Sequence, residues 1–158
     1  MSIPAIREQI KVVLAGVPGI GVVHDRERFA ADWGKFLNLF KDADGRINGC
    51  MFSRESRRRV QATMGETEKA HVFVIRRFMG LKDGEETGIL FDDHLEELAD
   101  AFDGDETLSD TCRTINPDWG PMEGAVGLQI DLSEIRMFGT VLCHYAECKL
   151  CAIEAKEN

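Results

Sequence analysis

Three features of this chain predict an α+β fold, a mostly antiparallel sheet with helices packed against it and a projecting hairpin arm. Apolar residues recur at helical spacing in two separated stretches, near the N-terminus and around residues 91–102. Long β-rich runs occupy residues 71–79 and 140–153. Between two strand-like runs lies an arginine-rich stretch with no periodicity, as expected of an arm that projects rather than packs.

The elements follow in order. Ser2 is placed to cap a first helix, and Pro4 is tolerated in its opening turn. Ile3, Ile6, Ile10, Val13, Leu14 and Val17 form one apolar stripe, and Pro18-Gly19 ends the helix. Val22 and Val23 begin a short strand that becomes charged at once, the habit of a sheet edge. Phe29, Trp33, Phe36, Leu37 and Phe40 define an aromatic, core-facing side of a second helix. The pairs Asp44-Gly45 and Asn48-Gly49 favour positive φ and predict a turn or hairpin. Residues 49–53 and 71–79 read as strands, with the arm between them. Thr87 is placed to cap a third helix with Phe91, Leu95, Leu98, Ala99 and Phe102 inward, and Asp92, Asp93, Glu96, Glu97, Asp100 and Asp103 elsewhere. Residues 108–120 read as loop. Val126, Leu128, Ile130 and Leu132 alternate with Gly127, Gln129 and Asp131 as a half-buried strand does, and residues 140–153 form a last long strand.

At 158 residues the chain is expected to form a single domain, residues 1–158, with a real core. Its 44% hydrophobic and 30% charged residues are ordinary for a globular protein. No apolar run reaches the roughly 18 residues of a membrane helix, and no basic region precedes an apolar block as in a signal peptide. These observations place the protein in a cytosol, away from membranes. Five cysteines, an odd number, fit reduced thiols better than a disulfide framework.

The net charge of −9 argues against nonspecific binding to nucleic acid or anionic lipid. Its distribution is more informative. Residues 83–110 hold twelve Asp and Glu and no Lys or Arg. Arg54, Arg57, Arg58, Arg59, Arg76 and Arg77 gather in a short central region. Separated signs suit surfaces that meet other surfaces, although charge runs also mark ordinary solvated faces. Arg54, Arg57, Arg58, Arg59, Asp92, Asp93, Glu96, Glu97 and Asp100 are therefore the candidate subunit-interface residues.

Candidate reaction centres are weak. Cys143, His144, Cys148 and Cys151 approach a zinc set, yet on a strand Cys143 and His144 point to opposite faces, as do Cys148 and Cys151. A zinc site would need the strand to break, and small sulfur side chains filling a sheet explain the same residues. Asp44, Arg46, Asn48, Gly49 and Glu55 nearly spell a calcium loop, but Arg46 puts a fixed cation where a carboxylate belongs. His24, His71, His94 and His144 make no HxxxH or HxH pair. No nucleophile elbow, P-loop or dinucleotide fingerprint is present, so neither a catalytic residue nor a cofactor is expected.

The segments Ile20-Gly21-Val22-Val23-His24-Asp25-Arg26-Glu27-Arg28, Asp32-Trp33-Gly34-Lys35-Phe36 and Gly45-Arg46-Ile47-Asn48-Gly49 resemble bacteriophage and prophage tail-terminator, or tail-completion, proteins. His71-Val72-Phe73-Val74-Ile75 and Val141-Leu142-Cys143-His144-Tyr145-Ala146 match the same layout, and the likeness spans roughly residues 3–153 as short, diffuse matches. The resemblance implies an α+β subunit of a homohexameric ring that caps the tail tube, stops its polymerisation and joins it to head-completion proteins. It implies no catalysis and no cofactor; sequence-specific nucleic-acid binding is not expected either, because the arginine run lies among acidic residues and lacks interleaved aromatics. Assembly would occur in the cytoplasm of a bacterial host, and the product would reside in the virion tail. A small metal-binding module, using Cys143/His144/Cys148/Cys151 or the Asp44 loop, is the alternative. The cysteine-rich end of the last strand and the arginine arm have no counterpart in the resemblance.

Overall fold

The computed structural model describes residues 3–63, 65–114 and 126–154. The expected cap Ser2, residue 64 of the arm and residues 115–120 of the expected loop lie outside these. The helices are α1 (Ile3–Ala15), α2 (Trp33–Asn38) and α3 (Thr87–Asp103). The strands are β1 (Val22–His24), β2 (Asn48–Thr63), β3 (Glu66–Gly80), β4 (Cys112–Arg113), β5 (Leu128–Phe138) and β6 (Val141–Glu154). They form one sheet in the order β1-β2-β3-β6-β4, with β5 paired to β6 on the β4 side. Among the described residues only the β1–β2 pair is parallel, and the other pairs are antiparallel. The α+β architecture read from the sequence is the observed one.

Strand parity divides the sheet into two faces. One face carries Cys50, Phe52, Phe73, Ile75, Ala146, Cys148, Leu150 and Ala152, and packs against Ile6, Ile10 and Leu14 of α1 and Phe91, Leu95, Leu98 and Phe102 of α3. The other packs Met51, Phe78, Cys143 and Tyr145 against Leu37 and Phe40 and against Phe138. Each such apolar side chain contributes about 1.5–3 kcal/mol when fully buried. The core therefore rests on both faces of β3 and β6. β6 has core packed on both of its faces, so its buried residues run through Cys143–Ala146 and Leu150–Ile153 rather than alternating.

The arm is an extension of the sheet. β2 and β3 pair from Asn48↔Met79 out to Thr63↔Glu66, with irregularities at Arg54/Ser56 and Gln61/Thr63. β6 supports β3 only from Ala70 onward, so the outer hairpin is two-stranded. A two-strand ribbon buries little, hence the absence of an apolar period there. The strand signal was read only where the third strand lies.

Several local expectations are corrected. The second helix begins at Trp33, with Asp32 as its N-cap accepting from the Lys35 N–H at 2.8 Å. Phe29 lies before it, 80% exposed, and Trp33 is 52% exposed; only Leu37 and Phe40 of the expected aromatic face are fully buried. Asn48-Gly49 is no turn but the start of β2. There a Gly49 side chain would meet the Val22 carbonyl at 2.6 Å. Thr87 is the first residue of α3, not its cap; Glu86 holds the cap position with φ 54° and no side-chain cap bond. The expected alternation over residues 126–132 breaks at an irregularity between Ile130 and Leu132, which sends Leu132 to the face opposite Ile130. Within the loop read over residues 108–120, Cys112 and Arg113 pair with the end of β6.

Candidate functional site

The predicted basic and acidic residues occupy opposite sides of the subunit. Arg54, Arg57, Arg58 and Arg59 are exposed along β2. Their cross-strand partners, Phe73, His71, Ala70 and Lys69, place Arg54, Arg57 and Arg59 on the helix-bearing face and Arg58 on the other. Asp92, Asp93, Glu96, Glu97 and Asp100 are all exposed on α3, which lies over the β5 side of the same face. Among the described residues no ion pair joins the two sets, so each remains available to an outside partner.

Arg76 and Arg77 do not belong to the basic surface. Arg76 is half-buried between Glu27 at 3.5 Å and Glu147 at 3.8 Å. Arg77 is fully buried, and its partners are polar but uncharged: the Gly49 and Phe78 carbonyls, the Gly19 carbonyl and the Asn48 side chain. Burial pulls its pKa down to about 10. Here the two glycine-rich segments of the sequence meet, since Asn48 Nδ2 also donates to the Gly19 carbonyl at 2.9 Å. Gly21, at φ 73°, lies so close that a side chain would strike the Asn48 carbonyl. Sequence reasoning missed this hub, because one arginine in a β-rich run looks like its exposed neighbours. Its cross-strand position opposite Cys50 was the available sign of burial.

The thiols and histidines are spread through the core. Cys143 and Cys151 face one side of β6, while His144 and Cys148 face the other. All five cysteines are free and buried. Burial pushes Cys50 and Cys148 up to about 12, and Cys112, Cys143 and Cys151 up to about 11, which removes nucleophilic thiolate at neutral pH. His144 Nε2 bonds Thr87 Oγ1 at 2.8 Å, and its ring stacks on Phe91. His94 donates to the Pro18 carbonyl at 3.0 Å. Burial lowers the pKa of both. Among the described residues no group of three or more His, Cys, Asp or Glu is arranged to hold a metal ion.

In the Asp44 loop the organising carboxylate is Asp42, which the calcium pattern did not include. It accepts from the Asp44 and Arg46 N–H groups, both at 3.0 Å, while Arg46 reaches Glu85 at 3.3 Å. Gly45, at φ 77°, completes a closed turn bridged by Lys41 and Ile47.

Apart from the outer sides of the short strands β1 and β4, two strand edges are unpaired among the described residues. β1 covers β2 only at Gly49, Cys50 and Met51, leaving residues 52–63 open. β5 pairs with β6 alone, leaving its whole outer side open. That side is partly apolar, with Ile135 and Met137 each 57% exposed and Ile130 at 37%. On the opposite face, a recess of about 640 Å³ runs beneath Phe29 and Trp33, floored by Phe78, Phe138 and Tyr145 and bordered by Arg28, Arg76 and Arg136. No helix of the described residues is long and apolar enough to cross a membrane.

No protein-family model matches this chain, and no curated protein matches it significantly.

Proposed function

We propose that this protein is a structural, ring-forming tail-completion protein of a bacteriophage or prophage, working through its surfaces rather than by turnover. The observation that carries the reading is the placement of an exposed arginine edge and an exposed acidic helix at opposite ends of one sheet. A subunit with unlike ends binds its copies head to tail, and such contacts close into a ring when the rotation allows. The resemblance in the Gly21, Trp33 and Gly45 segments supplies the tail context: a ring, six-membered in that family, that caps the tube and meets head-completion proteins. In this reading the chain is made and assembled in the bacterial cytoplasm and ends in the virion tail. It takes no cofactor and performs no reaction.

Native mass measurement across a dilution series tests it. We expect a single closed oligomer at high concentration that gives way to monomer on dilution, and earlier at high salt because the contacts are charged. Electron micrographs of that oligomer should show annular particles. A monomer at every concentration and ionic strength would overturn the reading.

A further inference from the structure

Long unpaired strand edges invite pairing, and proteins cover or blunt them. This subunit has two, and they match in four respects. First, the length agrees: β5 spans 11 residues, and residues 52–62 of β2 give it a full partner. Second, the direction agrees. β2, β3, β6 and β5 alternate in sense, so a copy moved sideways brings its β5 antiparallel to β2. Third, between the irregularities of the two strands the faces agree, Ser56, Arg57 and Arg58 sharing their sides of the sheet with Glu134, Ser133 and Leu132. Sheet continuation preserves the two faces, so Arg54, Arg57 and Arg59 would run beside the neighbour's α3, whose exposed Asp92, Asp93, Glu96, Glu97 and Asp100 supply the opposite charge. Fourth, the apolar row of Ile130, Ile135 and Met137, exposed on that same face, would be covered.

We propose that copies of this chain join by continuing the sheet, residues 52–62 of β2 in one subunit pairing antiparallel with β5 of the next. This rests on the ring-forming reading above and says what its joint is made of. Full overlap sets Arg57 opposite Ser133 and Ser56 opposite Glu134. The stagger is also defined. Arg54, Phe73, Leu150 and Leu128 lie on one rung within a subunit. Pairing Leu128 near the arm's tip therefore shifts the next copy along the strands and tilts them to the ring axis, as closure of a sheet requires. Backbone hydrogen bonds supply the attachment, and the arginines and the acidic helix select the partner edge over another β2.

The side-chain faces give the test. Arg57 and Ser133 belong to the helix-bearing face, Ser56 and Glu134 to the other, by their partners His71, Ala146, Val72 and Tyr145. We expect Arg57→Cys with Ser133→Cys, and Ser56→Cys with Glu134→Cys, to yield a ladder of disulfide-linked oligomers under mild oxidation. The mixed-face pair Ser56→Cys with Ser133→Cys should lose that ladder, as should each single variant; the native thiols are buried and stay out of the reaction. Ladders that ignore face would overturn the proposal. So would an oligomer by native mass with no cross-link from either matched pair, a result that leaves the ring reading standing. A monomer throughout removes both.

Discussion

At the scale of single residues, Arg77 is where stability concentrates. A buried cation without a carboxylate is costly to place, yet its guanidinium satisfies carbonyls from three separate segments, at Gly19, Gly49 and Phe78. Truncation removes a charged donor from the buried Gly49 and Phe78 carbonyls and from the Asn48 side chain, at about 1.5–3 kcal/mol for each such bond, while the exposed Gly19 carbonyl keeps the Asn48 Nδ2 donor. Arg77→Ala should therefore lower unfolding free energy by several kcal/mol in a denaturant titration, whereas the exposed Arg58→Ala should change it by less than about 0.5 kcal/mol. Gly21 and Gly45 give a paired check. Both have positive φ, but a side chain at Gly45 meets nothing within 4 Å, while one at Gly21 collides with the Asn48 carbonyl. Gly45→Ala should cost about 1 kcal/mol, the backbone penalty alone, and Gly21→Ala clearly more in the same titration. These residues also mark what was legible. The glycines advertise their turns in any reading of the chain. Whether an arginine is a surface charge or a buried staple depends on its strand neighbours, which no local pattern states.

At the scale of elements, α3 carries a burden that its own stability does not require. Asp92 and Glu96, Asp93 and Glu97, and Glu96 and Asp100 are like charges four residues apart, each pair unfavourable by about 0.2–0.5 kcal/mol on a helix. Neutralising Asp92, Glu96 and Asp100 to Asn and Gln should raise the melting temperature of the isolated subunit while weakening self-association measured by dilution. Loss of neither would return α3 to an ordinary solvated face. The inward side of α3 was readable because Phe91, Leu95, Leu98 and Phe102 follow one 3.6-residue period. α2 was read too long because Phe29 and Trp33 fit the same period. Periodicity cannot distinguish an apolar side chain facing a core from one left at a surface recess. The charge sets were likewise visible as sequence runs, but their opposition was not. It arises because β6 inserts beside β3 and puts the last described strand near the middle of the sheet.

At the scale of the whole molecule, the buried titratable groups bound the pH range in which the fold persists. Five thiols stay protonated in the folded chain, their pKa values raised by burial from an ordinary 9.0 to about 11 or 12. Above pH 9 the unfolded chain releases these protons and the folded chain does not, so the unfolded state gains. Each thiol then removes about 1.4 kcal/mol of stability per pH unit until its folded value is reached. At the acid side, burial holds the pKa of His71, His94 and His144 below the ordinary 6.5. The unfolded chain takes up these protons first, so stability falls as pH drops through 6.5. For His71 burial is the main cause and Arg54 and Arg57 add to it by opposing protonation, while Glu154 at 3.7 Å favours the charged ring and offsets them in part. Melting temperature measured from pH 5 to 11 should therefore be highest between about 7 and 9 and fall on both sides. The alkaline fall should be steeper, with five thiols against three histidines; above pH 10 Tyr145, raised to about 12, adds to it and Arg77, lowered to about 10, opposes it. In Cys50→Ser and Cys148→Ser the alkaline limb should become shallower, because two of the strongest contributors are gone, while the acid limb keeps its slope. An alkaline limb unchanged in those variants would mean that other groups set it.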